Sequence, residues 1–455
     1  MTAKAFHHAF CVDKAICVGC THCMKVCPTQ AIRIKDGKAE LMADRCIDCG
    51  ECFRVCPVQA FRIEEDDLSE IHQYKVRVAL VPAVMMAQFP DDISIGQIYQ
   101  AIHQLGFTHV FEVEQSVNFL KEKMLEYQRD NNDRPLISTF CPAIVRLIQV
   151  RFPALTDNFI LLKPPHDLTA ELVKHDLLKQ GFGNHEIGIF YITPCAAKIA
   201  AIKSPVGEKE SIINGVINID SLYNKIMHLI KNEDSIEPAT DRTHLGPDAI
   251  TWTLTNGEAK QMEKLSLAID GINNVDEFLE KLENGEIKNV DFLELRACDM
   301  GCAGGILCVG NRFITSARMH QRAGKTLDAN IQTSLTGAEK TDAGAFLESK
   351  MLLDNIEPRP IKLDGDLAAA LKKMERIREL MCFLPGFDCG ACGAPNCRAL
   401  AEDIAQKRAN ISDCVFMHHT SLVNQEHAKL IIQKIWGEES LNKDCTKKGA
   451  KNEGI

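Results

Sequence analysis

The chain has 455 residues, 20 of them cysteine, with 25% charged residues and a formal net charge of -10. That length allows roughly two to four domains, and the acidic balance argues against a nucleic-acid-binding body. No apolar run approaches a membrane span, the longest (about residues 76–89) being broken by Arg77 and Pro82, and the stretch Met1 to Phe10 lacks the apolar core of a secretory signal, so thiols in this number predict a cytoplasmic, metal-binding protein rather than a disulfide framework.

Residues 1–72 read as a first domain. They carry Cys17-x2-Cys20-x2-Cys23-x3-Cys27-Pro28 and then Cys46-x2-Cys49-x2-Cys52-x3-Cys56-Pro57. Each run is followed by a short strand candidate, Ala31 to Ile34 and Ala60 to Ile63, so the segment is an internal repeat. A zinc site or a disulfide framework fits neither the doubled spacing nor the proline after each last cysteine. The spacing resembles the two-cluster bacterial-type ferredoxins, an α+β fold, in which the fourth cysteine of each run ligates the other cluster. The resemblance implies one 4Fe–4S cube on Cys17, Cys20, Cys23 and Cys56, and a second on Cys46, Cys49, Cys52 and Cys27.

Residues 73–357 read as a second domain with alternating strands and helices. Strands are expected at Arg77–Val81, Thr108–Val113, Pro135–Ser138, His185–Thr193 and Val290–Leu295, and helices at Ile93–Leu105, Ser116–Tyr127 and Asn274–Glu283. This alternation predicts an α/β class with parallel sheets covered by helices. Residues 330–375 are polar and helical in part, with a boundary near Glu357-Pro358-Arg359-Pro360. A small helical module follows at 376–420, and 421–455 is expected to hold one amphipathic stretch (Leu422–Trp436) and a disordered tail whose Lys443, Lys447, Lys448 and Lys451 are a solvated end.

Three cysteine motifs stand at the ends of the expected strands: Thr139-Phe140-Cys141-Pro142, Thr193-Pro194-Cys195-Ala196-Ala197-Lys198, and Ala297-Cys298-Asp299-Met300-Gly301-Cys302-Ala303-Gly304-Gly305. Carboxyl ends of strands in open α/β sheets border the ligand crevice, and Pro142 suits the first position of a helix. Four thiolates converging from three loops could hold one cube. These motifs, with Val81-Pro82-Ala83-Val84 and the approach from Ile272 through Phe292, resemble the FeFe-hydrogenase family over about residues 1–330. The family's signatures are Thr-Ser-Cys-Cys-Pro, Met-Pro-Cys-x-x-Lys and Met-Ala-Cys-x-x-Gly-Cys. The resemblance implies an H-cluster: a cube on Cys141, Cys195, Cys298 and Cys302, bridged through Cys302 to a diiron unit with carbon monoxide, cyanide and dithiolate ligands. Lys198 would hydrogen-bond a cyanide, a charge-assisted contact.

The departures carry as much information. Catalytic members of the family relay protons through a cysteine, a serine and a glutamate; here those positions are Phe140, Ile160 and Ala201. The methionines that flank the diiron unit are Thr193 and Arg296. Positioned proton-transfer groups contribute about 10²–10⁴-fold in rate, so the chain resembles the divergent, sensory-type branch.

The C-terminal module reads Cys389-x2-Cys392-x4-Cys397-x16-Cys414. It resembles the small 4Fe–4S domain of Rnf-type electron-transport subunits and corrinoid iron–sulfur proteins, with a zinc site as the alternative. Glycines beside the cysteines let backbone amides approach the cluster sulfurs. Of the remaining thiols, Cys11 and Cys382 are expected to be structural, Cys445 a tail thiol, and Cys308 a candidate for approach to the central site. His7, His8, His22, His418 and His419 are expected at the surface.

The reading is an FeFe-hydrogenase-like protein with electron-relay modules on both sides of an H-cluster domain. It would interconvert protons and dihydrogen slowly and sense dihydrogen or redox state, passing the signal to a partner in trans. It would depend on the diiron maturation machinery. A working hydrogenase coupled to a redox protein such as ferredoxin, and an iron–sulfur carrier lacking the diiron unit, are the alternatives.

Overall fold

The structure is a computed structural model that describes residues 6–131, 133–232, 245–328 and 337–422. The expected amphipathic stretch beyond Leu422, and Cys445, lie outside the described residues. The chain forms two compact units: residues 1–11, 47–50 and 62–360 in one, and 12–46, 51–61 and 361–455 in the other. Residues 12–46 and 51–61 of the N-terminal cysteine module share the second unit with the C-terminal module, although the two modules were read from sequence as flanking the central domain on both sides.

The larger unit is built on two parallel sheets. The first has the order β6–β5–β8–β9, with β5 at Val76–Val81, β6 at His109–Glu112, β8 at Ile187–Thr193 and β9 at Gly215–Asn218. The second has the order β10–β11–β7, with β7 at Leu136–Ile137, β10 at Ser266–Asp270 and β11 at Phe292–Arg296. Every pairing in both sheets is parallel. The five strands expected from sequence are present, whereas β9 and β10 were not expected. β8 is buried along its whole length, as a central parallel strand covered on both faces must be.

Strand order explains where the cysteines fall. From β5 the chain goes to β6 on one side and later to β8 on the other. The sheet therefore switches direction between β5 and β8, the place where open α/β sheets carry their ligand crevice at the carboxyl ends. Cys195 follows β8, and Cys141 and Cys298 follow β7 and β11. Helices Pro142–Arg151 and Ala196–Lys203 begin directly after Cys141 and Cys195, which occupy their N-caps. Pro142 starts its helix as expected, because a first-turn position needs no N–H.

In the smaller unit β2 (Ile32–Lys35) pairs antiparallel with β3 (Lys38–Leu41). β1 (Phe10–Val12) and β4 (Phe61–Ile63) form a further two-stranded sheet, most of whose residues belong to the larger unit. The C-terminal module packs helix Leu367–Phe383 against helix Cys397–Ala405 around Ile377, Leu380, Leu384 and Leu400.

Candidate functional site

Cys23 has Cys17, Cys20 and Cys56 as neighbours, the residues that the ferredoxin resemblance groups in one set. Burial pushes the Cys23 thiol up to about 11, and Cys20, Cys17 and Cys56 raise it further as neighbours. The repeat is visible in the sulfur contacts: Ala31 N–H donates to Cys27 Sγ and Ala60 N–H donates to Cys56 Sγ, both at 3.2 Å. Left-handed backbone flanks Cys20 at Gly19 and Thr21, and flanks Cys49 at Asp48 and Gly50. Turns of that kind let three thiols on a short loop point to one centre.

Asp48 adopts its positive φ without being glycine because its carboxylate is fully engaged. It accepts from Ala9 N, His8 Nδ1 and Arg146 Nη1 at 3.0, 2.8 and 2.5 Å. His8 is thus half-buried and bonded, not the surface residue expected. His22 is exposed, as expected, and Cys11 is exposed because β1 turns Phe10 inward in its place.

In the larger unit Cys141, Cys195 and Cys302 are mutual neighbours. Burial pushes the Cys195 thiol up to about 12, with Lys198 opposing and Cys302 and Cys141 adding to the rise. Burial likewise raises Cys302, against the pull of Lys198 and Arg296. Bare thiolates would be costly there; a bound iron–sulfur cluster would supply the missing positive charge. Helix N-termini at Cys141 and Cys195 add partial positive charge from below. The Cys302 loop is seated by backbone: Cys302 N–H donates to Thr253 O at 2.9 Å and Leu307 N–H to Pro194 O at 3.0 Å. A Cβ on Gly305 would lie 2.5 Å from Pro194 O, so this position needs glycine. Cys308 Sγ donates to Cys302 O at 3.3 Å, which places it against the same loop.

Beside these thiols stands a polar cluster that sequence reading missed. Arg296 is 2% exposed and pairs with Glu258 at 2.9 Å and Glu294 at 3.2 Å. Ser138 Oγ donates to Glu258 at 2.9 Å, and Glu294 accepts the N–H groups of Glu258 and Ala259, each at 2.8 Å. Burial raises the Glu258 carboxyl to about 7, with Arg296 opposing. Glu294 sits on a strand buried at every position, and that was its only sequence signal. Lys198, 3% exposed, and Arg296 both lie over the Phe140 ring, 4.3 and 4.0 Å from its centroid. Phe140 and Ile160 line one cavity of about 10 Å³ with Ser138, Lys163 and Glu258. A separate cavity of about 60 Å³ is lined by Ala201, His166, Asp167, Glu208 and Ser211 among others. Burial holds His166 well below the ordinary imidazole range, with Lys198 adding to it, so the ring stacked on Tyr191 is neutral.

Cys389, Cys392 and Cys414 are neighbours in the C-terminal module, where burial chiefly raises the Cys392 thiol. Cys397 opens its helix, and its N–H donates to Asp388 Oδ1 at 2.7 Å.

No helix among the described residues is long and apolar enough to cross a membrane. The family described as iron only hydrogenase large subunit, C-terminal domain, matches residues 74–246 and 231–306. A 4Fe-4S dicluster domain matches 16–60, and an Fe-S cluster family matches 384–416. Iron hydrogenase 1 of Clostridium pasteurianum is 25% identical over 286 residues, covering 50% of this chain and 49% of that protein. The periplasmic Fe hydrogenase large subunit of Nitratidesulfovibrio vulgaris is 29% identical over 212 residues, covering 42% and 50%. The chain spans about half the length of these relatives. A variant of the FeFe-hydrogenase HydA1 of Chlamydomonas reinhardtii overlays with a TM-score of 0.47 at 15% identity, over 65% of this chain and 98% of that one. With a family match that spans half its length and iron–sulfur families at either end, the chain belongs to the iron-only hydrogenase large-subunit family.

Proposed function

We propose that this chain is a cytoplasmic, slow-turnover FeFe-hydrogenase-like protein that senses dihydrogen or redox state and reports to a redox or signalling partner. Four 4Fe–4S cubes are assigned: two on the N-terminal cysteines, one on Cys141, Cys195, Cys298 and Cys302, and one on Cys389, Cys392, Cys397 and Cys414. The diiron unit, placed by maturation proteins, would be held at Cys302 with Lys198 facing a cyanide. The residues fit that group. Two buried cations face the thiols, and Arg296 Nη1 is buried without a hydrogen-bond partner among the described residues. When bound, the group supplies reversible cleavage of dihydrogen into two protons and two electrons.

The observation that carries the slow-turnover reading is the plug at Phe140. A relay needs a proton-bearing group or an ordered water within hydrogen-bond reach. Phe140 and Ile160 instead line a space of about 10 Å³, at the lower limit for one water. Lys198 and Arg296 both rest on the ring and hold it in place. Ser138 and Glu258 can hold a proton at the Glu258 carboxyl, but the ring bars its further movement.

One observation favours a working hydrogenase instead. The cavity of about 60 Å³ beside Ala201 has room for ordered water, and the Asp167 carboxyl on its wall is raised to about 7, chiefly by burial. Matured protein decides between them. Infrared bands of iron-bound carbon monoxide and cyanide should appear, and dihydrogen evolution from a reduced dye should run far below catalytic relatives at equal loading. Rates matching those relatives would select the working enzyme. Absence of the bands after maturation would select an iron–sulfur carrier.

A further inference from the structure

The C-terminal module is seated on the ferredoxin module by a contact that uses the residues next to the candidate cluster ligands on both sides. Gly390 directly follows Cys389, and Met24 directly follows Cys23. A Cβ on Gly390 would lie 3.0 Å from Met24 Cε, and Met24 is 1% exposed. One strand away, Ile34 N–H donates to Gly393 O at 2.8 Å, and a Cβ on Gly393 would lie 1.9 Å from Ile34 O. Both glycines have left-handed backbone, φ +74° and +81°, so no other residue gives this approach without strain.

Two buried ion pairs fix the register. Arg33 Nε, on β2, donates to Asp403 Oδ2, with both side chains 4% exposed. Arg45 Nη2 meets Glu402 Oε2 at 2.9 Å. Lys35 Nζ also donates to Arg408 O at 3.3 Å. A tethered relay docked at random would not bury charges in matched pairs, because an unmatched buried charge is strongly unfavourable.

We infer that this contact is an electron-transfer junction, so that the C-terminal cube and the first N-terminal cube (Cys17, Cys20, Cys23, Cys56) lie in series on one wire. One electron leaves the reduced C-terminal cube, which is oxidised by one unit, and the first N-terminal cube is reduced by one unit. No bond or proton changes hands, and the reverse transfer uses the same contact. The C-terminal module is thereby an extension of the ferredoxin relay and not a second entrance to the diiron site. Cys389 is exposed, so that cube would be reachable by an external donor. The inference rests on the reading of both modules as cube sites and is independent of the diiron unit.

The test uses the full chain reconstituted with iron and sulfide, without the diiron unit, and reduced with dithionite. Cys414→Ser identifies the C-terminal cube's electron paramagnetic resonance signal by removing it. In wild type that signal should be split or broadened by spin coupling to the first N-terminal cube. Arg33→Glu and Asp403→Arg should each abolish the coupling at unchanged iron content, and the double exchange should restore it. Full iron content with an unsplit C-terminal signal in wild type would overturn the junction alone, and that measurement needs no variant. Coupling that survives both single reversals would also overturn it. Wild-type iron one cube short would overturn the cube assignment and the junction with it.

Discussion

The guanidinium of Arg296 lies 4.0 Å from the centroid of the Phe140 ring. By the family resemblance, Phe140 takes the place of a proton-relay cysteine and Arg296 that of a methionine beside the diiron unit. The two form one physical unit, a cation resting on the aromatic ring, which on the proposed function bars the proton path. Desolvated contacts of this kind contribute about 2 kcal/mol. The plug is therefore held and not incidental.

Phe140→Cys should raise dihydrogen turnover, but by less than the 10²–10⁴-fold a complete relay contributes. Ile160 and Ala201 still interrupt the route. Restoring all three groups should give a non-additive further rise, since relay groups act as a unit. The substitution should also lower stability by about 3 kcal/mol through lost packing and the lost cation contacts. Rates at equal infrared-measured loading, with a melting curve for each variant, check both expectations.

Arg296→Met should be damaging by itself, although it restores the family's residue. It leaves Glu258 and Glu294 buried without their shared cation, and breaking a buried pair costs about 3–5 kcal/mol. Combining it with Glu258→Gln and Glu294→Gln should recover most of that loss. Chemical denaturation of the single and triple variants measures the difference. A single variant as stable as wild type would show that the ion pairs of Arg296 contribute nothing to stability.

Glu114 makes stability depend on pH. It is 1% exposed, accepts from Ala83 N at 2.9 Å, and burial with Glu112 nearby pushes its carboxyl up to about 8 from 4.5. Between those pH values the folded protein keeps a proton that the unfolded chain has released. The contribution is thus fully favourable below about 4.5 and is lost as pH rises to about 8, on the order of 5 kcal/mol in all. Glu114→Gln should flatten the fall in melting temperature between pH 6 and pH 8. A variant that falls as steeply as wild type would mean that Glu114 is ionised in the fold.

Much of this was legible before the structure. Pro142 after Cys141 marked a helix start, and the strand ending at Thr193 marked a loop at the crevice. β10 was missed because Ser266–Asp270 is short, and it is only half-buried along its length. Glu258 was missed because it approaches Arg296 from 38 positions away in sequence, with no motif around it. The docking of the C-terminal module on β2 was equally silent, because the pairing of Arg33 with Asp403 spans 370 positions. Cysteine spacing is a local signal, and charge pairing across the chain is not.

Cys56→Ser should remove the first N-terminal cube and spare the second, because Cys56 neighbours Cys23. Iron analysis should fall by about one cube from about four. Paramagnetic resonance of the reduced protein identifies which signal disappears. Loss of both N-terminal signals would mean that the two loops fold only together.

The segment Ile47–Gly50 belongs to the larger unit although it lies inside the ferredoxin repeat. Ile47 and Cys49 join the core that contains Cys141 and Cys195, Asp48 is clasped by Arg146, and a Cβ on Gly50 would lie 2.7 Å from Ile306. The second cysteine loop is therefore shaped by residues that the ribosome delivers about a hundred positions later or more. On the proposed cube assignment, cluster insertion should then be ordered, the first loop loading early and the second only once the larger unit's core has formed. A fragment ending near residue 72 should mature with a single stable cube, and transplanting this ferredoxin repeat onto another enzyme would carry over only half of its wiring.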